Sequence, residues 1–182
     1  MTRLIVLALL ALALGACKKE VAERPLPVSM TAEAVGHYCQ MDLLEHPGPK
    51  AQVHLDGLPD PLFFSQVRDA IAYQRMPEQS HAIAAIYVSD MGVAPSWQSP
   101  GADNWIAAES AVFVVGASIN GGMGAPELVP FADRSAAEAF VADNGGEILS
   151  LAAVPDDTVL TPVEFELDAE GNFIPPEGAV ID

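Results

Sequence analysis

The first apolar block, Leu4 to Leu14, is eleven uncharged residues drawn only from Leu, Ile, Val and Ala. At ~1.5 Å per residue, a helix of that length covers roughly half of a ~30 Å hydrocarbon core, which fits a signal-peptide apolar region better than a membrane span. A different pattern begins at Ala51. Ala51, Val53 and Leu55 alternate with Gln52, His54 and Asp56, the period of a strand with one face covered and His54 turned to solvent. Asp56-Gly57 signals a tight turn before Leu62-Phe63-Phe64. Ser65 is placed to cap a helix running to about Gln74, with Met76 at its end and Pro77 beyond. The apolar run Ala82 to Ser89 then predicts a buried strand.

The plan repeats. Ala111 to Ile119 reads as a strand running into Asn120-Gly121-Gly122-Met123-Gly124, and Glu127 to Phe131 as a second, short strand. Ser135 and Glu138 have the spacing of a capping box, the helix extends to Asn144, and Gly145 suits a left-handed C-terminal position. Glu147 to Ala152 resumes as strand. Phe64 and Tyr73 stand nine residues apart across the first helix, and Phe131 and Phe140 keep that separation across the second. The predicted fold is therefore α+β, with tandem duplicated ββαβ-like units at about 31–92 and 105–154. Trp97 and Trp105 flank a Ser/Pro/Gly-rich loop between the units and are read as packing it.

The ends differ from this centre. Residues 17–30 mix charge with Pro25 and Pro27 and read as a tether. Residues 155–182 carry four prolines, two glycines and many acids, which predicts an irregular acidic tail. Within it, Val163, Phe165 and Leu167 alternate with glutamates and leave room for a short edge strand. Leu14-Gly15-Ala16-Cys17 resembles the bacterial lipobox. Residues 1–16 would then be a lipoprotein signal peptide, and Cys17 the lipidated residue attaching the chain to a bilayer without spanning it. Lys18, rather than an acid, follows that cysteine and favours a periplasm-facing position on the outer membrane.

The chain carries a formal charge of −17; losing residues 1–16 removes one Arg and no acid, giving −18. So acidic a surface excludes nucleic acid as a partner, because phosphate binding needs clustered cations. It favours solubility and draws cationic species. The two cysteines narrow the chemistry further. With Cys17 acylated, Cys39 is the remaining thiol in a compartment where disulfides form freely. It is buried and inert, paired between chains, or reactive and metal-binding.

Cys39 lies in His37-Tyr38-Cys39-Gln40-Met41. In an extended segment Cys39 and Met41 would face one point, with His37 able to join them. A thiolate and a thioether are soft donors and select copper(I) over harder ions. A structural zinc site would need four ligands, and this cysteine with four scattered histidines does not provide them. Cys and Met are also common core residues, so spacing alone leaves a packing role open. Met123 falls outside any periodic apolar segment. Its neighbouring glycines allow a flexible loop whose thioether could close over a metal held by Cys39 and Met41. A G-x-S-x-G elbow, an H-E-x-x-H pair and a phosphate-binding glycine loop are absent from the sequence, and a Cys39–His37 pair lacks a third, orienting group.

The lipobox, the tether, Cys39-Gln40-Met41, Met123-Gly124, Val129-Pro130-Phe131 and Asn144-Gly145-Gly146 together resemble the NosL family. That is a family of copper-chaperone lipoproteins accessory to nitrous oxide reductase, and the similarity spans most of residues 28–152. The resemblance implies a non-enzymatic role delivering copper(I) to nitrous oxide reductase, directly or through its membrane transporter complex. It also implies a fold similar to the duplicated module of organomercurial lyase, with Cys39, Met41 and Met123 as ligands. The family usually has Cys-Gly-Met, and Gln40 departs from it. Two other readings remain at this level: an adaptor lipoprotein that binds no metal, and a Cys-dependent enzyme built on the lyase-like fold.

Overall fold

The computed structural model describes residues 24–163 and Ala169. The signal segment, Cys17 and the proposed strand around Phe165 lie outside the described residues. The first unit consists of β1 (Ala51–Leu55), β2 (Leu62–Phe64), α1 (Val67–Arg75) and β3 (Ile83–Val88), followed by the short β4 (Ile106–Ala107). The second consists of β5 (Val112–Val115), β6 (Val129–Phe131), α2 (Arg134–Asn144) and β7 (Glu147–Ser150), followed by the one-turn α3 (Asp156–Leu160). The sheets run β2-β1-β3-β4 and β6-β5-β7, with every strand pair antiparallel. Removing β4 leaves the same order in both units: the first strand is central, the second lies on one side, and the strand after the helix lies on the other. The duplicated ββαβ plan is therefore realised.

Its aromatic markers superpose in role. Phe64 ends β2 and packs on Tyr73 of α1, with centroids 5.6 Å apart. Phe131 ends β6 and packs on Phe140 of α2 at 5.4 Å. β5 joins the two units. Its Phe113 and Val115 enter the core formed by β1, β3 and α1, while Val112 and Val114 pack toward α2. Trp97 stacks on Phe140 and Trp105 lies against Phe63, so both tryptophans pack the inter-unit loop.

Four expectations change. His54 is buried, not solvent-facing, and all five residues of β1 are covered. Residues 24–30 lie across the outer face of the sheet, so the end of the predicted tether is a docked strap. Val28 donates its N–H to Gln52 Oε1 at 2.8 Å and accepts from Gln52 Nε2 at 3.0 Å. His54 Nε2 lies 2.8 Å from the same Gln52 Oε1, and Tyr87 donates to the Pro25 carbonyl at 2.6 Å. Arg24 crosses the Tyr87 ring and pairs with Glu109. An alternating strand exposes its polar side only if no distant segment covers it, and here one does.

The helix caps also differ. Ser65 does not cap α1, whose N-cap is Gln66 with no capping bond from its own side chain. Asp133, not Ser135, caps α2 by accepting from Ser135 N at 2.7 Å. Gly145 does close α2, but with φ +73° and ψ −166° it lies outside the left-handed helical region, in a conformation reserved for glycine. Finally, the start of the acidic tail is folded. Arg75 holds the Leu151 and Val154 carbonyls and Asp156, Arg68 holds the Thr158 and Thr161 carbonyls, and Val159 is buried. No helix among the described residues is long and apolar enough to cross a membrane.

Candidate functional site

Cys39, Gln40 and Met41 do not form an extended segment. Val35 pairs with Asp42 across a tight hairpin, inside which Gly36 N donates to Met41 O at 3.0 Å and Gln40 N to Gly36 O at 2.8 Å. This fold-back puts Gln40 at φ +56°, where it is the sole non-glycine residue with positive φ among the described residues. Left-handed backbone costs an L-residue roughly 1–2 kcal/mol, which accounts for the glycine usual at this position in the family it resembles. Gln40 offsets the cost locally, since its Nε2 donates to His37 O at 2.7 Å and Gly36 O at 3.3 Å.

The hairpin is fixed from below. Leu43 is fully buried beside Met30 and Ala34, and His37 N donates to Phe63 O of β2 at 2.6 Å. A side chain on Gly36 would overlap Cys39 Sγ, so glycine there makes the seat for the thiol. Cys39 is unpaired and half-buried, and its Sγ lies 3.6 Å from Ser65 Oγ. Met41 is 42% exposed, an unusual setting for a core methionine. Val35, Tyr38 and Leu44 of the same segment are each also more than 40% exposed. The His37 ring sits among Tyr38, Phe64 and Tyr73, with centroids 5.3–5.6 Å away.

Met123 comes from the second unit. Asn120 and Pro126 pair at the base of its loop, while Gly121 N donates to Ala125 O and Gly124 N to Gly121 O. The apex is therefore a formed turn rather than a free loop. It rests on the first unit: a side chain on Gly122 would meet Pro47 O at 2.7 Å and His46 Cβ at 2.8 Å. Met123 N donates to Gln66 Oε1 at 2.6 Å. Ser65 and Gln66 are adjacent, so one dipeptide touches the Cys39 thiol with its first side chain and the Met123 backbone with its second. The Cys39 hairpin and the Met123 loop thus both contact the segment that starts α1.

Beneath them lie two buried titratable groups. Lys50 donates to the Pro47 and Gly48 carbonyls at 2.9 and 2.6 Å. Burial lowers its pKa to about 8 despite the opposing pull of Glu127 and Cys39. Glu127 Oε1 accepts from Arg68 N and Leu128 N, both at 2.9 Å. Burial raises its pKa to about 8 against those two amides. Among the described residues no three His, Cys, Asp or Glu side chains converge as a metal cluster, so a metal held here would depend on thioether donors as well as the thiol. Sequence reading singled out Cys39, Met41, Met123 and His37 but missed Gly36, Ser65, Gln66, Lys50 and Glu127. No local pattern marks these residues, because the sequence offers Ser65 as the cap and Gln66 is seen to be the N-cap only in the structure.

The fold and this site define a class: paired ββαβ units with a half-buried thiol on a hairpin against the first unit and a methionine loop that reaches it from the second. A family model described as NosL matches residues 27–159. The copper-binding lipoprotein NosL of Achromobacter cycloclastes is 61% identical over 161 residues, covering 88% of this chain and 83% of that protein. That of Stutzerimonas stutzeri is 35% identical over 144 residues, covering 78% of this chain and 73% of the other. The crystal structure of the copper chaperone NosL from Shewanella denitrificans matches with a TM-score of 0.66 at 29% identity, covering 72% of this chain and 96% of that one. The chain belongs to the NosL family.

Proposed function

We propose that this protein is a membrane-anchored chaperone that binds copper(I) through Cys39 and Met41, with Met123 as the third sulfur, and delivers it for assembly of nitrous oxide reductase. The observation that carries the reading is Cys39: an unpaired, half-buried thiol, seated by Gly36, on a hairpin whose second sulfur is exposed. Soft, low-coordinate copper(I) suits that donor set, and a shallow site suits transfer by stepwise ligand exchange. The surface supports a cationic cargo. Of the five Lys and Arg among the described residues, Lys50 is buried, Arg68 holds carbonyls, and Arg24, Arg75 and Arg134 are paired with acids. The aromatic packing of His37 makes it a support for the hairpin, with ligation only if the ring turns.

Lipidation at Cys17 anchors the chain, facing the periplasm on the outer membrane. From Cys17 to the docked Arg24 is seven residues, a reach of at most about 25 Å. Transfer therefore takes place close to the lipid surface, to the reductase or its transporter complex. The test is copper(I) titration by competition with a chromophoric chelator, comparing the chain from residue 18 onward with Cys39→Ser and Met41→Leu. Loss of binding in the first and weaker binding in the second are expected. Unchanged stoichiometry and affinity in both would remove the proposal.

A further inference from the structure

The two units should cap their helices alike, and they do not. In the second unit the N-cap residue Asp133 accepts from the amide two residues on, Ser135 N, at 2.7 Å. In the first unit the equivalent amide is Arg68 N, and the equivalent N-cap residue is Gln66. Arg68 N is instead satisfied by Glu127 from the second unit, at 2.9 Å. Gln66, relieved of capping, is fully buried and spends its oxygen on Met123 N. The segment 121–127 is thereby attached to the start of α1 at two points, Met123 and Glu127.

Space around Gln66 is tight in a way that fixes its direction. A side chain on Gly121 would meet Gln66 Cδ at 2.9 Å and Glu127 Oε2 at 2.5 Å, so only glycine lets the loop backbone come this close. Gln66 Nε2 and Glu127 Oε2 are also buried without a partner among the described residues. Such groups are costly to bury, which sets this amide apart from ordinary packing.

We infer that Gln66 is a positioning residue that sets Met123 against the Cys39 hairpin, and that the cap exchange with Glu127 frees it for this task. Ser65 ties the same dipeptide to the thiol, at 3.6 Å. Gln66 touches no metal in this role; it acts through the Met123 backbone. The inference rests on the copper reading only for its consequence, that a misplaced Met123 removes one sulfur from the bound ion.

The experiment uses the mature lipidated chain in detergent micelles. Gln66→Met keeps the volume and removes the acceptor, while Gln66→Glu keeps an acceptor oxygen. If Gln66→Met fails to fold, Gln66→Asn withdraws the oxygen by one methylene and tests the same bond. In the metal-free protein, amide exchange at Met123 is expected to rise roughly fivefold or more in Gln66→Met, as for loss of an ordinary hydrogen bond. Exchange at Gly36 and Gln40 should not move, and Gln66→Glu should restore the Met123 rate. In the copper(I)-loaded protein, X-ray absorption should count one sulfur fewer in Gln66→Met than in wild type. Unchanged exchange at Met123, or an unchanged sulfur count, overturns the inference. A wild-type protein that takes up no copper sinks the proposed function instead, and the exchange measurement alone then decides whether Gln66 holds the loop.

Discussion

Gln40 offers the sharpest test of how the Cys39 hairpin is held, because opposing terms meet in one residue. Its φ of +56° costs about 1–2 kcal/mol for a side chain with Cβ. Replacing it with glycine removes that strain but gives up two side-chain hydrogen bonds, to Gly36 O and His37 O. In so exposed a position they contribute about 0.5–1 kcal/mol together. Glycine also loosens the unfolded chain, at about 0.4–1 kcal/mol. These terms nearly cancel, so Gln40→Gly should leave stability within about 1 kcal/mol of wild type. Gln40→Ala keeps the strain and loses the bonds, costing about 0.5–1 kcal/mol. Gln40→Val adds a β-branched side chain in left-handed backbone and should cost about 2 kcal/mol. The expected order of stability is wild type and Gly, then Ala, then Val, read by urea unfolding followed by circular dichroism. In thermal melts the Val variant should fall by roughly 4–8 °C for a domain of this size. A Val variant as stable as wild type, or an Ala variant more stable, would refute the claim that local bonds sustain a strained hairpin.

Two further outcomes follow from buried polar groups. Glu127 keeps its proton up to about pH 8 in the folded chain, whereas its ordinary value is 4.5. The folded state therefore binds more protons between those values, and stability should fall as pH rises from about 4.5 to 8, with Lys50 and Asp69 as the charges facing it. Glu127→Gln should flatten that fall, so that its melting temperature exceeds wild type at pH 8.5 more than at pH 5; identical slopes would contradict the burial argument. On the outer face, Gln52→Leu strands the Val28 backbone and His54 and should cost about 2–3 kcal/mol. Arg24→Ala, removing an ion pair whose side chains are 41% and 55% exposed, should cost under about 1 kcal/mol. Equal losses in chemical denaturation would show that the strap is held by charge rather than by the buried amide.

Much of the fold could be read from local pattern because its determinants are local. The spacing of Phe64 and Tyr73, repeated by Phe131 and Phe140, located both helices and the strands ahead of them, since each pair closes one unit's helix onto its sheet. His54 was misread because its cover, the strap at Pro25 and Val28, lies more than twenty residues away. The hairpin at Cys39 was misread as extended because glutamine, unlike glycine, gives no sign of positive φ. The sulfur residues themselves could be picked out as candidate soft donors from residue type alone. Their support could not: Gln66 and Glu127 act across the junction between units, which no periodicity within either unit reports.

The two sulfur-bearing loops are held with unequal strength. The Cys39 hairpin is fastened by backbone bonds from Gly36, His37, Gln40 and Leu43, and by Leu43 buried beneath it. The apex at Met123 reaches the first unit through one hydrogen bond to a side-chain amide and through the close seating of Gly122 on His46 and Pro47. Opening free energies follow the bonds and buried area that must be given up, so the Met123 loop is the first of the two to lift. On the proposed chaperone reading, that asymmetry would order the events: Met123 would leave first and vacate a position for an incoming ligand, while Cys39 and Met41 would keep hold until the exchange is complete.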